Sequence, residues 1–566
     1  MNEYILGIWD GHDAGAALLY GNQVLCAINE ERLSRRKLEV QFPYRAITAC
    51  LAYARIAPED ISAVAVSTYD PAKTLARLFP ATKEEYYLIR RRKKRPGLLT
   101  ALKKRLKYKL TELRGNTLSM RVSLFAIRHQ LRQLGITTPE IVFVDHHRCH
   151  ATTAAFFCGH PSCLVITLDG IGDGLSGSVC TVRDGVISII AELSGKHSLG
   201  IFFEHVTNLL NMRELEDEGK VMALANYAYP VPDHENPLLD LINVDGITIH
   251  NRYGSLRLYD ELKKLLWRYP SEQFAYMAQR TLEIKIAELV ANAMRLTNVT
   301  DVALAGGIFS NIKVNMRLRH LPGVKSCFVF PHMGDGGLAL GAAAWVNYLR
   351  NAIVAYPLHD VFWGLDYPPE ELEQVARSSG FRFQYCDTPA QKAAELIAQG
   401  NIVFWFQGRM EYGPRALGNR SILALPGSRT IKDTLNLQLK MRVWYQPFCP
   451  SMLDEEAVRL LQDADGEPNR FMTMGYMVRE KQRECLEGVI GIDGSCRPQM
   501  VGTETPLFRS LLYALRDRTG FGVVLNTSFN IHGEPLVCSP SDALRTFSMT
   551  GNQYLFLGNY LIQQKT

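Results

Sequence analysis

No apolar run in this 566-residue chain approaches the length of a membrane span, so we expect no transmembrane helix. The first residues, MNEYILGIWDG, lack a basic segment followed by a long apolar one, and no signal peptide is expected. The 12 cysteines are scattered and form no CxxC pair, which argues against a disulfide framework. These absences predict a cytoplasmic protein with reduced thiols.

Excess positive charge is also missing from most of the chain, although the total is +6. Residues 90–114 hold 12 Lys/Arg and one acid, a local charge of +11, and the total less this segment leaves −5 for the rest. Leucines recur there every four residues, at positions 98, 102, 106 and 110, which predicts a basic amphipathic helix after Pro96.

This basic helix has three open interpretations. It could contact an anionic membrane surface, bind an acidic acceptor, or be a solvated helix docked on its own domain. Tyr108 is its only aromatic residue, and base-stacking platforms are therefore too few to indicate nucleic-acid binding.

Glycine-rich motifs organise the first part of the chain. The segments 4–28 and 163–182 each predict a strand, a loop and a returning strand, and residues 301–318 predict a strand, a Gly-Gly turn and a helix. Such loops can bring backbone N–H groups close to phosphates. The duplicated strand–loop–strand unit indicates an α/β fold like that of actin-like and sugar-kinase-like ATPases. Residues 272–296 predict one long amphipathic helix.

A proline-containing stretch then leads to an apolar strand, NIVFWFQ, which we assign to a second α+β domain. The predicted organisation is a first domain over residues 1–350 with a basic insertion over about 80–120, a linker over 351–375, and a second domain over 376–566.

The stretch VDHHRCHATTAAFFCG, residues 144–159, contains three histidines. If a helix begins near Asp145, His146 and His150 project from one face, with Cβ atoms about 5–6 Å apart. That spacing suits two ligands of one metal ion. An N-capped helix whose histidines only form hydrogen bonds is the alternative. His147 points elsewhere and is not expected to be a ligand.

Arginine and lysine recur in Gly/Pro loops of the second domain. The guanidinium groups of such loops can bind several phosphate oxygens. Asn and Ser side chains can hydrogen-bond a small amide or carboxyl group. Each arginine alone could equally be a surface ion pair. The candidates are Arg409, Arg415, Arg420, Lys440, Arg442, Arg497, Asn526, Ser528 and Asn530.

The chain resembles the O-carbamoyltransferases of the nodulation and antibiotic-tailoring type nearly end to end, apart from the basic insertion. The motifs that carry the resemblance are GHDAGAAL, EERLSRRK, DHHRCHA, LDGIGDG, AGGIFSN, GDGGLALGAA, GRMEYGPRALGNRS, DGSCRPQ and NTSFNIHGEP. The resemblance implies an actin-like (Kae1-like) first domain and a YrdC-like second domain. It also implies conversion of carbamoyl phosphate and ATP to carbamoyl-AMP, and transfer of the carbamoyl group to an acceptor hydroxyl of a natural product or saccharide.

The resemblance further implies roles for individual residues. His12 would be the general base, and Lys37 would face the acceptor. The metal, expected to be Fe(II), would be bound by His146, His150, Asp169 and Asp335. The nucleotide would contact Asp169, Gly200, Gly307 and Asn311. Carbamoyl phosphate and ATP would bind in the second domain to Arg415, Lys440, Arg442, Arg497, Asn526 and Ser528.

One motif departs from the family pattern. Val443 stands where the family has Glu, and Gln446 stands where it has Arg. Gln can hydrogen-bond a phosphate but carries no charge. A non-catalytic nucleotide-binding or regulatory module of the same fold is therefore the alternative, and a simple ATPase or sugar kinase is a third. The acceptor identity stays open, and a monomer or homodimer is expected.

Overall fold

The computed structural model describes residues 3–97, 100–137 and 139–564, with the backbone alone for residues 100–105. The chain divides into two compact units. The first comprises residues 1–30 and 38–358, and the second comprises residues 31–37 and 359–566. The expected linker, 351–375, spans the later boundary, whereas the contribution of residues 31–37 to the second unit was not foreseen.

Within the described residues, the first unit contains two five-stranded sheets with the same topology. The strand orders are β3-β2-β1-β4-β5 and β8-β7-β6-β11-β12. In each sheet a three-stranded antiparallel meander is extended by two parallel strands. The strands are β1 (Tyr4–Trp9), β2 (Gly15–Tyr20), β3 (Gln23–Asn29), β4 (Ile61–Ser67), β5 (Glu140–Val144), β6 (Ser162–Gly172), β7 (Leu175–Arg183), β8 (Val186–Ser194), β11 (Asp301–Ala305) and β12 (Ser326–Val329).

This duplication confirms the α/β, actin-like fold class. The first unit also contains helices and a short hairpin of β9 (Ile242–Asp245) and β10 (Thr248–Asn251). The helices of this part of the chain are α1 (Glu30–Ser34), α2 (Tyr44–Ala54), α3 (Pro71–Leu78), α4 (Pro80–Arg90), α5 (Thr100–Thr111), α6 (Thr117–Arg132), α7 (His146–Phe157), α8 (Leu199–Leu209), α9 (Glu218–Leu224), α10 (Ser255–Leu266), α11 (Ser271–Thr297), α12 (Ile312–Arg319) and α13 (Leu338–Asn351).

Two buried helices connect the sheets of the first unit. Helix α13 packs on β1, β2 and β4, helix α7 packs on β6 and β11, and the two helices pack against each other. Both are rich in alanine and other small residues where they are buried, which allows close helix–helix contact. This arrangement places the N-terminal ends of α7 and α13 at the polar loops of both sheets.

The basic stretch is not one helix. Arg90 ends α4, and a separate helix, α5, follows Pro96 as the leucine spacing predicted. Leu98 lies outside the described residues, as does the side chain of Leu102. None of the helices in the described part of the chain is long and apolar enough to cross a membrane.

The second unit has an α+β architecture around one mixed sheet. Within the described residues, the strand order is β13-β22-β21-β14-β15-β20-β16-β19. Its strands are β13 (Arg382–Tyr385), β14 (Val403–Phe406), β15 (Arg420–Ala424), β16 (Cys449–Leu453), β19 (Gln499–Val501), β20 (Val523–Ser528), β21 (Tyr554–Leu557) and β22 (Tyr560–Gln563), and β17 (Tyr476–Met477) pairs with β18 (Ser495–Cys496).

Helices cover this sheet and complete its core. Apolar faces of α15 and α18 pack on Trp405, Phe556 and neighbouring strand residues. The helices are α14 (Pro369–Ser378), α15 (Pro389–Ala398), α16 (Arg429–Asp433), α17 (Asp454–Leu460), α18 (Pro506–Thr519) and α19 (Pro540–Thr550), with a π-helical turn at Thr434–Leu439.

Candidate active site

Two histidines and two aspartates of the first unit converge on one point. Nε2 of His150 lies 3.1 Å from Oδ2 of Asp169, and Nε2 of His146 lies 3.4 Å from the same oxygen and 3.6 Å from Oδ1 of Asp335. One potential ligand atom from each residue lies within 4.8 Å of the others. We call these four residues the imidazole–carboxylate cluster.

Local sequence explains how α7 presents its histidines. Asp145 caps the helix, because its Oδ1 accepts the backbone N–H groups of His147 at 3.0 Å and Arg148 at 3.1 Å. The helix therefore begins at His146, and His146 and His150 share one face. The third histidine, His147, makes other contacts, as expected. Its ring contacts Thr167 Oγ1 at 3.0 Å and the Leu175 carbonyl at 3.1 Å.

Neighbouring side chains orient His146. Its Nδ1 lies 3.2 Å from Thr68 Oγ1, which leaves Nε2 for the two carboxylates. Its backbone N–H donates to Asp173 at 2.9 Å. Burial lowers the pKa of His146, but the carboxylates of Asp335 and Asp169 outweigh it and raise that pKa to about 9. The protonated ring of His146 therefore places a positive charge beside the two carboxylates, where a metal cation could take its place.

This donor set fits a divalent metal ion. Two imidazoles and two carboxylates are ligands that Fe(II), Zn(II) and Mn(II) all accept. The four donors lie close together, with both histidines buried and both aspartates half-buried, and two adjacent carboxylates without a compensating cation are costly in such a place.

His12 lies beside the cluster. Its Nδ1 is 3.5 Å from Asp335 Oδ2 and 3.4 Å from the Tyr87 hydroxyl. The side chain is 23% exposed, so it can meet a ligand in the adjoining cavity. Burial lowers the pKa of His12 below its ordinary value, against the opposing effect of Asp335 and Asp169. The imidazole is thus mainly neutral at neutral pH and able to accept a proton.

A cavity of about 130 Å³ connects His12 with the imidazole–carboxylate cluster. Much of its wall comes from helix α3 and from helices α4 and α5, which lie within the predicted basic insertion of about 80–120. We call it the central cavity. Its lining includes His12 and three members of the cluster, His146, Asp169 and Asp335. The other polar and aromatic lining residues include Trp9, Lys73, Lys83, Tyr87, Arg90 and Lys107.

Two of the predicted nucleotide residues, Gly200 and Gly307, lie close to Asp169. A Cβ on Gly200 would lie 2.5 Å from the Asp169 carbonyl oxygen, and one on Gly307 would lie 2.8 Å from Asp169 Oδ1. Both glycines therefore permit close approach of backbone to this aspartate. Asn311 instead caps α12 and forms a reciprocal amide pair with Gln279, at 2.8 and 3.1 Å. The side chain of Asn311 is therefore engaged in contacts that stabilise the fold.

Three guanidinium groups gather in the second unit around β16. Nε and Nη2 of Arg497 lie 3.1 and 3.0 Å from Cys449 Sγ. Arg415 and Arg442 are both within electrostatic range of Arg497 and Cys449. Burial, followed by the charge of Arg497, lowers the pKa of Arg415 to about 9, and burial lowers that of Arg442 to about 10. We call Arg415, Arg442 and Arg497 the arginine cluster.

This cluster is short of anions. Among the described residues, Nε of Arg415 and Nη2 of Arg442 are buried without a hydrogen-bond partner. Buried charges are normally paired, so the cluster has the character of an anion site. Asn526 is opposite Cys449 in the ladder between β20 and β16, and its Oδ1 is likewise buried without a partner.

Lys440 and Ser528 adjoin the cluster. The Lys440 ammonium donates to the Ser528 carbonyl and to the Asn530 carbonyl at 2.8 Å. Burial lowers the pKa of Lys440 well below its ordinary value, and the charges of Arg442 and Lys37 add to this effect. Ser528 Oγ donates to Asn530 Oδ1 at 2.6 Å.

Comparison with known proteins places this arrangement in a family. A model described as carbamoyltransferase N-terminus matches residues 4–344, and one described as carbamoyltransferase C-terminus matches residues 394–564. The chain belongs to the carbamoyltransferase family. It is 32% identical to the nodulation protein NolNO of Sinorhizobium fredii over 98% of this chain and 79% of that protein.

Two further relatives have informative names. The nodulation protein NolO of Bradyrhizobium diazoefficiens is 35% identical over 75% of this chain and 79% of its own length. The 3'-hydroxymethylcephem-O-carbamoyltransferase of Streptomyces clavuligerus is 30% identical over 58% of this chain and 62% of its own length. The family membership identifies the protein as an enzyme of the carbamoyltransferase class.

Not every loop arginine of this carbamoyltransferase belongs to the arginine cluster. Arg409 donates to the carbonyls of Trp363 at 2.9 Å and Gly364 at 3.1 Å. Arg420 is fully buried, donates to several carbonyls of its own loop, and stacks 3.6 Å from the Phe406 ring centroid. Both arginine side chains therefore stabilise the loop, and this structural role accounts for them without any bound phosphate.

The segment containing Val443 and Gln446 is held by Asn436. Its Nδ2 donates to the Gln446 carbonyl at 3.2 Å, and its Oδ1 accepts Nε of Arg442 at 2.7 Å. Arg442 is therefore held through Asn436 and not through the side chain of Val443 or Gln446.

Lys37 was predicted to face the acceptor. The structure places it in the second unit, where its charge acts on Lys440, and it is not among the residues that line the central cavity. The predicted acceptor role of Lys37 stays a prediction. Residues of the cavity wall that the sequence did not reveal are Trp9, Tyr87 and Lys107, because no local motif marks them.

Proposed function

We propose that this carbamoyltransferase forms carbamoyl-AMP from carbamoyl phosphate and ATP and transfers the carbamoyl group to a hydroxyl of a natural product or saccharide. The observation that carries the proposal is the presence, within one family member, of a buried anion-poor arginine cluster and a four-donor imidazole–carboxylate cluster with His12 beside it. Each cluster suits one half of the reaction.

The first half is assigned to the second unit. Water and carbamoyl phosphate give carbamate and inorganic phosphate, and the carbamate oxygen then attacks the α-phosphorus of ATP and releases pyrophosphate. Arg415, Arg442 and Arg497 would bind phosphate oxygens, which supply the missing negative charge. Lys440, Asn526 and Ser528 would orient the carbamoyl group through hydrogen bonds. Because carbamate decomposes in water, the site must be closed to solvent during the reaction.

The second half is assigned to the central cavity. His12 accepts the proton of the acceptor hydroxyl, the hydroxyl oxygen forms a bond to the carbamoyl carbon, and the bond from that carbon to the AMP phosphate oxygen breaks. Burial keeps the imidazole of His12 neutral and ready for this proton. AMP leaves with the electron pair of the broken bond.

His146, His150, Asp169 and Asp335 would hold a divalent metal ion, which we propose to be Fe(II). Such an ion would serve as a Lewis acid toward the phosphate and acyl oxygens of the carbamoyl adenylate. Thr68 would keep Nε2 of His146 directed at the ion through its contact with Nδ1. Gly200 and Gly307, which lie against Asp169, would present their backbone to the nucleotide.

The direct test omits any acceptor. The purified protein is incubated under anaerobic conditions with ATP, labelled carbamoyl phosphate and Fe(II), and carbamoyl-AMP and pyrophosphate are quantified. We expect both products in equal amounts, together with inorganic phosphate from carbamoyl phosphate. ATP turnover to ADP would instead support a kinase-like reaction, and the absence of any turnover would support a non-catalytic nucleotide-binding module.

A further inference from the structure

The outer face of helix α6 (Thr117–Arg132) combines large apolar side chains with arginines. Along this helix, residues that are three or four positions apart lie on one face, and five of them are Leu118, Arg121, Phe125, Arg128 and Arg132. We call these five residues the α6 stripe. All of them are exposed, and the exposed fraction reaches 72% for Leu118 and 74% for Phe125.

Contacts of the opposite face keep the stripe on the outside of the first unit. The buried residues of α6 are Ser119, Ser123, Ile127 and Leu131. Oγ1 of Thr74, on α3, lies 2.9 Å from Ser123 Oγ and donates to the Ser119 carbonyl at 3.1 Å. Arg77 also donates to Ser123 Oγ, at 2.9 Å. Because a rotation of α6 about its axis would break these hydrogen bonds, the helix cannot bury the apolar residues of the stripe by turning.

The arginines of the stripe lack acidic partners. In the part of the chain that the structure describes, no carboxylate forms an ion pair with Arg121, Arg128 or Arg132. Residues 113–139 contain four arginines and no aspartate or glutamate, and the fourth arginine, Arg114, pairs with Glu192. The stripe is therefore a positively charged surface that also exposes apolar side chains.

This combination favours an anionic lipid surface as the partner. At such a surface, apolar side chains enter the boundary between headgroups and acyl chains, while arginines extend to the lipid phosphates. A nucleic acid would match the arginines, but it would leave Leu118 in water and could stack on one ring only, that of Phe125. A second copy of the stripe would bring arginines against arginines.

We propose that the α6 stripe binds the protein peripherally to an anionic phospholipid surface. Leu118 and Phe125 enter the interface, and the three arginines contact lipid phosphates. This contact is independent of the proposed function, because none of the five residues lines the central cavity. It is also distinct from the membrane contact considered for residues 90–114, since α6 begins after that segment.

The test uses the full-length protein and vesicles of two compositions. One is phosphatidylcholine alone, and the other is phosphatidylcholine with phosphatidylglycerol in a ratio of two to one. Flotation through a density gradient over a range of lipid concentrations measures the bound fraction. We expect binding to the anionic vesicles to be at least tenfold stronger, and to weaken as salt is added because salt screens the attraction.

Variants of the stripe separate its two components. Arg121→Gln and Arg128→Gln should each weaken binding to the anionic vesicles about fivefold, which is the contribution expected of one basic residue near such a surface. Leu118→Gln and Phe125→Gln should each weaken it at least threefold, because the apolar side chain that enters the interface is lost. All four positions are exposed, so the melting temperature should stay within about 2 °C of that of the unchanged protein.

Two matched controls lie elsewhere in the first unit. Arg268→Gln removes the same charge at an exposed position just after α10. Leu296→Gln removes a leucine that is 63% exposed on α11. Both variants should bind anionic vesicles like the unchanged protein. Equal weakening by Arg121→Gln and Arg268→Gln would mean that only net charge matters, and would overturn the proposal.

Other outcomes would also overturn it. Equal binding to the two kinds of vesicle would exclude recognition of anionic lipid, and unchanged binding by Phe125→Gln and Leu118→Gln would exclude apolar insertion. Polyuridylate that binds more tightly than the anionic vesicles, with no effect of Phe125→Gln, would identify a nucleic-acid surface instead. A dimer in sedimentation velocity that Phe125→Gln dissociates would identify a contact between two copies of the chain.

Discussion

Nε2 of His150 lies 3.1 Å from Oδ2 of Asp169, and the same oxygen lies 3.4 Å from Nε2 of His146. One carboxylate oxygen therefore faces two imidazoles that are one helical turn apart. A cation placed among these atoms would contact all three residues, and Asp335 completes the set.

His146→Ala should remove metal binding and leave adenylate formation intact, because His146 lies in the first unit and the arginine cluster lies in the second. Bound metal is measured by elemental analysis, and pyrophosphate release by a coupled assay. His147→Gln is the control on the same helix. It should retain the metal but lower the melting temperature, since His147 bonds Thr167 and Leu175. Loss of adenylate formation with the metal retained in His146→Ala would contradict the assignment.

Metal affinity should rise with pH. Without an ion, the pKa of His146 is raised from 6.5 to about 9, so at pH 7 the ring holds a proton that an incoming ion must displace. Affinity should therefore increase about tenfold per pH unit below pH 9 and level off above it. Mn(II) titrations followed by electron paramagnetic resonance between pH 6.5 and 8.5 would measure this slope. A flat profile would show that no proton is displaced.

Thr68→Val should weaken metal binding about 10- to 100-fold, because the contact that orients His146 through Nδ1 is lost. Thr68→Ser keeps the hydroxyl and should retain most of the affinity. The same Mn(II) titration distinguishes the two variants. If Val and Ser weaken binding equally, the hydroxyl has no orienting role and the effect is one of packing.

Arg415→Met should stabilise the second unit and abolish adenylate formation. The guanidinium is desolvated beside Arg497 with a pKa of about 9, so an apolar side chain of similar length should raise the free energy of unfolding by about 1–3 kcal/mol. Added pyrophosphate should raise the melting temperature of the unchanged protein and not that of the variant.

Arg429→Met is the control for this change, since Arg429 is exposed on α16 and outside the arginine cluster. Its stability should change by no more than about 0.5 kcal/mol, and its adenylate formation should persist. Destabilisation by Arg415→Met would mean that the apo protein already compensates this charge.

Local signals made parts of the fold predictable. Helix α7 begins at His146 because Asp145 is a strong N-cap, and the long helix expected over residues 272–296 is α11, Ser271–Thr297. The duplicated glycine motifs likewise indicated the two equivalent sheets. In these cases the residues that determine the structure are neighbours in sequence.

Tertiary partners explain what the sequence did not reveal. Arg90 and Arg91 belong to a run of cations that looks solvated, yet both are buried against Glu204, Glu214 and Glu216, more than 110 residues later. The predicted nucleotide contact of Asn311 stays a prediction, and the sequence did not reveal that its amide pairs with Gln279. A run of charged residues or a polar motif predicts that a charged surface or a site is present. It does not identify the distant residue that pairs with those charges.

The placement of residues 31–37 in the second unit has a consequence for biogenesis. Arg32 donates to the Gly413 carbonyl at 2.9 Å, and Arg35 donates to the Pro535 and Leu536 carbonyls and pairs with Asp542. Residues 31–37 therefore cannot complete these contacts until the chain has been synthesised as far as Asp542. Cleavage at residue 358 would separate residues 31–37 from the rest of the second unit, to which they belong.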